Sequence, residues 1–463
     1  MLNIELIRQN PSSASTALGR RGEETDIERV LIMDERRRGA QTKANNASET
    51  KNTASKFFGF LRRVTQDKYK LTPDDYNEPV PTHLSEYIGK SSVQELLEIP
   101  TQTLLEQAQN AMRDISKEAD ELVKEASIID VELNELLLTI PNIPLQDVPS
   151  GYDESSNIVV RTHGNPKTFE FTPLAHWDLG ERLGIIDMPR GSKISGSRFF
   201  TLMGPGARLQ RALISWMIDW HVQHGSFKEV YLPFLVRRDT MLGSGNLPKF
   251  EENLYHDLED DLWLIPTAEV PLTGLHKDEI LDASSLPIYY VAHTPSFRRE
   301  KAAAGKDTRG IKRVHQFDKV ELYKIVAPES SNTELDKLVN NAEEICQQLD
   351  IPYRLIQLCA GDMSFPSAKS FDLEMWAPGC QEWLEVSSCS NCTDFQARRA
   401  NIRYRPKAGD RPAFVHTLNG SGLALPRVLI AIMENYQQSD GSILVPDVLQ
   451  PYMNQNVIKN ILK

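Results

Sequence analysis

Two short stretches of this chain carry side chains suited to binding a nucleotide together with a small charged molecule. The first, FRREKAAAGKDTRGIKRVHQFDKVELY, combines Arg298 and Glu300 with a basic, glycine-containing loop and a strand that carries Phe317 and Glu321. The second, NGSGLALPR, is a glycine-rich turn that enters a helix and ends at Arg427. A guanidinium can bind carboxylate and phosphate oxygens through paired hydrogen bonds. The residue types therefore predict a site that neutralises a carboxylate and phosphate groups together.

The part of the chain that holds both stretches mixes helices with β-rich runs. Such runs occur at residues 228–234, 262–265 and 314–326, and they do not alternate with helices as βαβ units do. No G-x-G-x-x-G or Walker-type loop follows a strand. Residues 146–463 are therefore predicted to form an antiparallel β-sheet flanked by helices, which makes the protein α+β.

The N-terminal third has the periodicity of a coiled coil. In residues 101–140 apolar side chains follow two seven-residue ladders: Ala108, Ile115, Leu122, Ile129, Leu136, and Met112, Ala119, Ala126, Leu133, Ile140. Residues 25–61 carry a stripe of mostly small side chains: Ala40, Ala44, Ala47, Ala54, Phe58, Leu61. Two such stripes predict an antiparallel α-helical hairpin within residues 1–145. Periodicity alone gives equal support to a rod that mediates dimerisation and to an arm that binds RNA.

An insertion at about residues 64–100 separates the two arms. It breaks the heptads with proline and glycine: Pro73, Pro79, Pro81, Gly89, Pro100. Aromatic and basic residues alternate next to it and within it, a composition suited to RNA stacking and phosphate contact: Phe57, Phe58, Phe60, Arg62, Arg63, Lys68, Tyr69, Lys70. Alternatively, the phenylalanines form a small core under the insertion, and this is favoured because apolar heptad positions usually bury. The basic residues remain candidates for RNA contact.

Composition restricts the class of protein and its location. The 463 residues exceed the size of one typical core, so two or more domains are expected. A formal net charge of -12 argues against a general nucleic-acid binder, so no DNA partner is expected and any RNA contact must come from a local face. No apolar run approaches the roughly 20 residues of a membrane span, and no targeting segment is recognisable. A cytoplasmic protein that does not enter membranes is therefore expected.

The five cysteines favour a reducing compartment, because their number is odd and their spacing is irregular. Cys389 and Cys392 form one C-x-x-C pair, a spacing that can ligate zinc. No second pair is present to complete a tetrahedral site. Free thiols are therefore favoured, and no zinc is expected.

The two chemical stretches resemble motifs 2 and 3 of class II aminoacyl-tRNA synthetases, and the residues around them resemble the seryl-tRNA synthetases of bacterial type. The segment ARLQRALISWMIDWHVQ and the strand that follows it resemble motif 1, which builds the class II dimer interface. The resemblance implies a tRNA-binding helical hairpin in residues 1–145, a class II catalytic domain in residues 146–463, and a homodimer. In the family such a hairpin reaches across the dimer to the long variable arm of the tRNA.

The function implied by the resemblance is that of an ATP-dependent serine–tRNA ligase. Such an enzyme converts L-serine and ATP to seryl-adenylate and pyrophosphate. It then transfers the seryl group to the 3′ end of tRNA(Ser), with tRNA(Sec) as a second candidate acceptor. Mg²⁺ bound with ATP is the expected cofactor.

The same resemblance assigns roles in the ATP site. Arg298 would bridge the α-phosphate and the substrate carboxyl, Glu300 would accept from the adenine amino group, and Arg427 would bind the γ-phosphate. Other residues that match the family's ATP site are Arg299, Val314, Phe317, Glu385, Val386, Ser387 and Ser388. Phe317 would stack on adenine. Glu385 and Ser388 would hold Mg²⁺, an ion that keeps several waters and requires few protein ligands.

Serine would be bound by a second set of matching residues: Thr267, Ala268, Glu269, Glu321 and Ser421. Sequence leaves open which of Thr267, Glu269 and Glu321 binds the ammonium group and which binds the hydroxyl. The chain has Pro426 where the commoner family form has glycine, and a normal helix start is still expected because proline suits a first helical turn.

Two other functions are alternatives to this one. A synthetase-like ligase that loads a carrier protein has no tRNA-binding hairpin, whereas residues 25–140 predict one. A catalytically inactive paralogue that binds RNA should have broken ATP motifs. Instead, all four principal ATP-site residues are present: Arg298, Glu300, Glu385 and Arg427.

Overall fold

The computed structural model describes residues 1–22, 25–301 and 309–459. The chain forms two compact units, one of residues 26–137 and one that joins residues 1–25 to residues 138–463. Residues 1–25 and 138–145 thus fall in the larger unit, although the sequence grouped them with the hairpin. One reason is Arg21, a buried side chain whose guanidinium donates to four carbonyl groups of that unit: Asn142, Met363, Ser364 and Ser367.

The described residues contain the following α-helices: α1 (Ile4–Gln9), α2 (Pro11–Gly19), α3 (Ile27–Thr65), α4 (Pro73–Tyr76), α5 (Thr82–Ile88), α6 (Val93–Leu96), α7 (Thr101–Leu138), α8 (His176–Leu183), α9 (Met188–Ser195), α10 (Pro205–His224), α11 (Arg238–Ser244), α12 (Glu269–Gly274), α13 (Ser331–Gln348), α14 (Phe395–Ala400), α15 (Leu425–Asn435) and α16 (Gln450–Met453). None of these helices has both the length and the apolar character needed to cross a membrane.

The β-strands in the same residues are β1 (Ile158–His163), β2 (Ile186–Asp187), β3 (Thr201–Leu202), β4 (Lys228–Glu229), β5 (Leu235–Arg237), β6 (Tyr255–Asp257), β7 (Leu262–Leu264), β8 (Ile280–Asp282), β9 (Ile288–Phe297), β10 (Gln316–Val326), β11 (Tyr353–Gln357), β12 (Lys369–Ala377), β13 (Glu382–Asn391), β14 (Arg403–Arg405), β15 (Ala413–Phe414), β16 (His416–Ala424), β17 (Ile443–Leu444) and β18 (Val457–Ile458).

The smaller unit contains the predicted helical hairpin. Helices α3 and α7 are antiparallel, because Lys51 lies 2.8 Å from Asp120 while Arg37, earlier in α3, lies 3.9 Å from Asp130, later in α7. Every residue of the predicted ladders and of the alanine-rich stripe is buried or half-buried. The apolar heptads therefore form the seam between the two helices, as the periodicity predicted.

The insertion folds into three short helices, α4 to α6, with a core of its own. Its apolar side chains pack against α3 and α7, and the buried members of this insertion core are Ala54, Phe57, Leu61, Val80, Leu84, Val93, Leu96, Leu104, Ala108 and Ala111. Phe57 is buried, and Phe58 and Phe60 are half-buried against the same core. The core interpretation of the three phenylalanines is therefore confirmed. Arg62, Arg63, Lys68, Tyr69 and Lys70 are exposed.

The larger unit is built on an eight-stranded sheet with the order β1-β11-β12-β13-β16-β10-β9-β4. Neighbouring strands are antiparallel except β4 and β9, which are parallel. Apolar faces of α10, α13 and α15 pack on the sheet in its largest core, through residues such as Leu213, Leu338 and Ile430. This confirms the predicted α+β fold with an antiparallel sheet flanked by helices.

Candidate active site

A cleft of about 330 Å³ opens where β9, β10, β13 and β16 meet the first turns of α12 and α15. It is lined by eleven of the residues predicted from sequence: Thr267, Glu269, Arg298, Glu300, Val314, Phe317, Glu321, Glu385, Ser388, Ser421 and Arg427. A neighbouring cavity of about 410 Å³ shares Thr267, Glu269, Arg298 and Glu300. Segments that are far apart in the chain thus converge on one site.

Strand β10 supplies three cleft residues on one face. Phe317, Lys319 and Glu321 are two residues apart, and side chains at that spacing point to the same side of a strand. Lys319 was not predicted from sequence, although its place between Phe317 and Glu321 in the alternation could have revealed it. Its ammonium lies 2.5 Å from the Glu321 carboxylate, to which Thr267 also donates at 3.2 Å. The charge of Glu321 is therefore already balanced by a cation.

A bulge in β13 explains how Glu385 and Ser388 both reach the cleft. Glu374 pairs with Glu385 and Leu373 with Ser387, so Val386 is an extra residue in β13. An extra residue interrupts the alternation of side chains along a strand. Consequently two residues three apart, which would face opposite sides of a regular strand, lie in the same cleft.

A second irregularity shapes β16. Val320 pairs with Leu423 and Glu321 with Ser421, which leaves Gly422 extra. A Cβ added at Gly422 would lie 3.1 Å from His221 and 3.2 Å from Val320, so the close packing favours glycine there. The following helix, α15, begins at Leu425 with Pro426 in its first turn, as expected. This turn delivers Arg427 to the cleft.

Arg298 and Glu300 follow the end of β9. The Nε atom of Arg298 donates to the Pro266 carbonyl at 3.2 Å, and its guanidinium lies 5.2 Å from the centre of the Phe317 ring. Glu300 has a left-handed backbone with φ of 46°, and its carboxylate lies 3.7 Å from Arg313. A non-glycine residue in that conformation costs of the order of 1 kcal/mol and is common at binding sites. Most of the predicted basic loop, residues 302–308, lies outside the described residues.

Arg427 is in direct contact with the predicted metal segment. Its Nη1 atom lies 3.0 Å from a carboxylate oxygen of Glu385 and donates to the Glu385 carbonyl at 2.7 Å. The two side chains therefore hold each other at the mouth of the cleft. A phosphate that arrived there would compete with Glu385 for this guanidinium.

Four predicted residues do not line the cleft. Ala268 and Val386 are fully buried in the cores on either side. Ser387 is buried and donates to the Ser421 carbonyl at 2.6 Å, so it holds β13 to β16. Arg299 turns away, because its Nε atom donates to the Leu254 carbonyl at 2.7 Å and its guanidinium lies over a ring of β6. The predicted roles of these four residues remain predictions. Backbone atoms of these residues, or neighbouring residues, would have to make the predicted contacts.

The carboxylate and hydroxyl oxygens around Glu385 are suited to bind a magnesium ion. Asp372 pairs with Ser388 across β12 and β13, and its buried Oδ1 atom has no hydrogen-bond partner in the described residues. Burial, followed by the charge of Glu385, raises the pKa of Asp372 well above its usual value. A divalent cation would relieve both effects, and carboxylate and hydroxyl oxygens are ligands that Mg²⁺ prefers. Asp372 was missed from sequence because the cross-strand pairing is not visible there.

Glu269 differs from Glu321 in its surroundings. Its Oε1 atom accepts from Gln396 at 2.5 Å and from Asn419 at 2.9 Å, both neutral amides. Burial, and then the charge of Glu321, raises the pKa of Glu269 to about 7. The site therefore has one carboxylate paired with a lysine and one that faces only neutral donors.

A buried network anchors the chain where the basic loop rejoins the fold. Ile311 donates its backbone N–H to His176 Nε2 at 3.2 Å, so the proton of that ring lies on Nδ1, which faces Glu434 at 3.1 Å. Glu434 also accepts from the backbone of Gly379 and from the backbone and thiol of Cys380. His176, Cys380 and Glu434 lie close enough together to ligate a metal, but these hydrogen bonds already use their ligand atoms.

Comparison with known proteins gives the family. A sequence model described as "tRNA synthetase class II core domain (G, H, P, S and T)" matches residues 249–436, and one described as "Seryl-tRNA synthetase N-terminal domain" matches residues 1–73. A serine–tRNA ligase from Thermomicrobium roseum is 52% identical over 453 residues, which are 98% of this chain and 93% of the relative. The chain belongs to the seryl-tRNA synthetase family. Seryl-tRNA synthetases are ATP-dependent aminoacyl-tRNA ligases, so the predicted enzyme class is confirmed.

Further members of the seryl-tRNA synthetase family are similar to this chain over its whole length. A serine–tRNA ligase from Dehalococcoides mccartyi is 50% identical, and the alignment covers 99% of this chain and 100% of the relative. Among solved structures, the seryl-tRNA synthetase from Pyrococcus horikoshii complexed with ATP has a TM-score of 0.84 and 36% identity, with 100% of both chains covered. The similarity therefore extends over the hairpin, the insertion and the cleft.

Proposed function

We propose that the cleft activates L-serine with ATP and that the protein then transfers the seryl group to the 3′ end of tRNA(Ser). The observation that carries this proposal is the convergence of Arg298, Arg427, Glu269 and Glu321 on one cleft. Two guanidinium groups can neutralise phosphates and a carboxylate, while two carboxylates can accept from an ammonium group and a hydroxyl. The relatives that span nearly the whole chain are serine–tRNA ligases, which supports the same substrate.

In the activation step, a carboxylate oxygen of serine attacks the α-phosphorus of ATP, the new O–P bond forms, and the bond to the pyrophosphate oxygen breaks. Arg298 binds both anions and lowers the repulsion between them. Glu300 accepts from the adenine amino group, Phe317 stacks on the base, and Arg427 binds the γ-phosphate. Glu385, Ser388 and Asp372 would hold Mg²⁺, which supplies positive charge for the phosphates.

Selection of serine rests on the polar groups at the inner end of the cleft. Glu321, Lys319 and Thr267 form a hydrogen-bonded set, and Ser421 lies on the adjacent strand. An amino acid without a hydroxyl would leave buried polar groups unpaired, which costs much more than a missing methylene. Alanine should therefore be rejected strongly.

We propose that tRNA binds through the hairpin and enters the site through the neighbouring cavity. That cavity extends from Thr267 and Glu269 towards Asn246, Phe250 and Asn253, so it offers a path for the 3′ end to the carbonyl of the adenylate. The exposed basic residues just before and within the insertion, Arg62, Arg63, Lys68 and Lys70, are the proposed phosphate contacts. The second candidate acceptor is tRNA(Sec).

We also propose a homodimer that acts in the cytoplasm. Large apolar side chains are exposed at both edges of the central sheet, with Tyr231 86% exposed after β4 and Ile158 51% exposed on β1. A second copy that covers such edges would bury them. All five cysteines are free thiols, which suits a reducing compartment.

The experiment that tests the proposed function is amino-acid-dependent exchange of pyrophosphate with ATP. Serine should support exchange, whereas alanine, glycine and threonine should support it at least about 100-fold less efficiently, since each lacks the hydroxyl or adds bulk. Exchange with another amino acid and none with serine would refute the proposal. Exchange with serine but no transfer to any tRNA would instead favour a ligase that loads a carrier protein.

A further inference from the structure

Gln396 lies behind the serine end of the cleft and does not line it. It is fully buried on α14, and its Nε2 atom donates to the Ser244 carbonyl at 3.0 Å and to Glu269 Oε1 at 2.5 Å. Its Oε1 atom accepts from the hydroxyl of Thr417 at 2.6 Å. A carbonyl and a carboxylate can only accept, so the amide has one permitted orientation, with its N–H groups towards Glu269.

Glu269 receives both of its side-chain hydrogen bonds on the same oxygen. Gln396 and Asn419 both donate to Oε1, whereas Oε2 has no donor among the described residues. The side chain lines the cleft and the neighbouring cavity. The two amides therefore fix the rotation of the carboxylate and leave its other oxygen for a ligand.

The geometry points to Gln396 as a positioning residue for serine binding: it holds Glu269 as a carboxylate with Oε2 turned towards the donor groups of the substrate. This inference rests on the proposed function of the cleft and adds to it a residue that does not touch the substrate. The anchor of Gln396 is in turn Thr417, which fixes the amide from β16. A chain of hydrogen bonds from Thr417 through Gln396 to Glu269 thus orients one substrate contact.

The charge balance around Glu269 makes this support necessary. Burial and the charge of Glu321 raise the pKa of Glu269 to about 7, whereas Lys319, the Gln396 hydrogen bond and Arg298 act in the opposite direction. A hydrogen bond to the ionised form favours that form. Without Gln396 a larger share of Glu269 would be protonated at neutral pH.

Apart from Glu321, other groups near Glu269 do not titrate in the same range or hold other partners. Burial raises the pKa of Tyr323 and of Cys392 well above their ordinary values, so both remain neutral. On the two helices that pack against α12, Asp239 of α11 pairs with Lys277, and Arg399 of α14 donates to backbone carbonyls. Burial also raises the pKa of Glu321, so the loss of activity at low pH reports on both carboxylates. A change in that pH dependence in variants of Gln396 reports on Glu269, because Gln396 donates to Glu269.

The test is the pH dependence of kcat/KM for serine in the exchange reaction, measured on the intact protein between about pH 5.5 and pH 9. The wild type should lose activity below about pH 7, because protonation removes the negative charge that strengthens the hydrogen bonds from serine to Glu269. Gln396→Met keeps the size of the side chain and removes the N–H group that donates to Glu269. The acidic limb of the pH profile should therefore move up by about one pH unit, and the serine KM at pH 7 should rise about tenfold. The ATP KM should stay within about twofold of the wild-type value.

Two further variants keep the test decisive if Gln396→Met fails to fold. Gln396→Glu places a second carboxyl against Glu269 and should move the limb further than Gln396→Met does. Thr417→Val removes only the hydroxyl that donates to the Gln396 amide. It should therefore shift the acidic limb of the pH profile less than Gln396→Met does. This order of shifts is not expected from a merely structural role.

The matched control is Gln437→Met. Gln437 is also buried with both ends of its amide bonded, but to the backbone at Leu174 and Glu434. This variant should leave the acidic limb in place whatever it does to stability. If all folded variants at Gln396 and Thr417 kept the pH profile and the serine KM of the wild type, the role of Gln396 would be refuted and the proposed function would stand. No serine-dependent exchange in the wild type would overturn the proposed function beneath it.

Discussion

At the scale of single residues, the cleft contains two carboxylates in different surroundings. Lys319 neutralises Glu321, whereas Glu269 meets only the amides of Gln396 and Asn419. A carboxylate without a cation in a buried place is costly unless a ligand supplies the missing charge. Under the proposed function, the ammonium group of serine would supply that charge.

Replacement of Glu269 by glutamine should separate stability from activity. Because the pKa of Glu269 is raised in the folded state to about 7 from an ordinary 4.5, this group stabilises the fold fully below about pH 4.5, and that contribution is lost as the pH rises through about 7. The melting temperature of Glu269→Gln relative to wild type should therefore increase over that window. Serine-dependent exchange should fall about 100-fold.

The control for this variant is Glu259→Gln, which changes an exposed carboxylate in the turn between β6 and β7. Its melting temperature should follow the wild type at every pH. A difference between Glu269→Gln and wild type that does not change between pH 4.5 and pH 8, measured by differential scanning fluorimetry, would contradict the raised pKa.

Arg298 should not be replaceable by lysine. A lysine keeps the charge but loses the planar pair of donors, so Arg298→Lys should lower kcat for serine-dependent exchange about 100- to 1000-fold. The exposed Arg411→Lys is the matched control and should be neutral. If Arg298→Lys retained most of the wild-type rate, the role of Arg298 as a bridge between carboxylate and α-phosphate would be wrong.

Which side chains meet in the cleft was partly visible in the sequence. Arg298, Glu300, Glu321, Ser421 and Arg427 belong to dense local patterns, and all five line the cleft. Gln396 was not visible, because its importance comes from a contact between α14 and α12 that no local pattern records. Asp372 was hidden for a similar reason, since its partner is set by the register of two strands around a bulge.

At the scale of elements, short irregularities and buried networks place the functional segments. The extra residues in β13 and β16 turn Glu385 and Ser421 into the same cleft. The chain that follows the basic loop is fixed by a hydrogen bond from the Ile311 backbone to His176. His176 is in turn held by Glu434. These features connect the sheet to the site without being part of the chemistry.

The network at Glu434 should be a large contributor to stability. Hydrogen bonds from His176 and Cys380 outweigh the opposing effect of burial and hold the pKa of Glu434 below its usual range. Glu434→Ala leaves several buried donors without a partner and should reduce the free energy of unfolding by about 3–5 kcal/mol. Chemical denaturation would measure this loss, and the exposed Glu329→Ala should lose less than about 0.5 kcal/mol. Equal losses in both would show that the network contributes little.

The insertion should stabilise the hairpin through its core. Leu84 of α5 is 1% exposed in the insertion core, so Leu84→Ala should reduce the stability of the smaller unit by about 2–5 kcal/mol. Its control, Tyr87→Ala, removes a side chain of the same helix that is 49% exposed, and it should have a small effect. The loss of helical circular dichroism on heating would measure both. A Leu84→Ala variant that melts like the wild type would mean that the insertion is not tied to the hairpin.

The elements differ in how clearly the sequence reveals them. The heptads of α3 and α7 repeat over many turns, so the hairpin and its buried face were predictable. The insertion helices have four to seven residues, which is too short for a periodic signal, and proline and glycine alone predicted an interruption. Strand β4 has two residues, although its β-rich run suggested a longer strand.

At the scale of the whole molecule, the proposed function assigns serine activation to the larger unit and tRNA binding through the hairpin to the smaller unit. The cleft lies entirely in the larger unit, and the hairpin with its insertion forms the smaller one. The net charge of -12 leaves RNA binding to local basic patches, such as Arg62, Arg63, Lys68 and Lys70. Family and architecture could be predicted from the sequence, whereas the assignment of residues 1–25 to the larger unit depends on tertiary contacts of Arg21.

The most direct test is to measure serine-dependent pyrophosphate exchange and charging of tRNA(Ser) in one preparation of the full chain, beside the double variant Arg62→Glu/Arg63→Glu. The wild type should perform both reactions. The variant should keep exchange within about twofold but lose charging efficiency about tenfold or more, because phosphate contacts become repulsive. Absence of serine-dependent exchange in the wild type would contradict the central claim, and equal loss of both reactions in the variant would contradict the separation of roles.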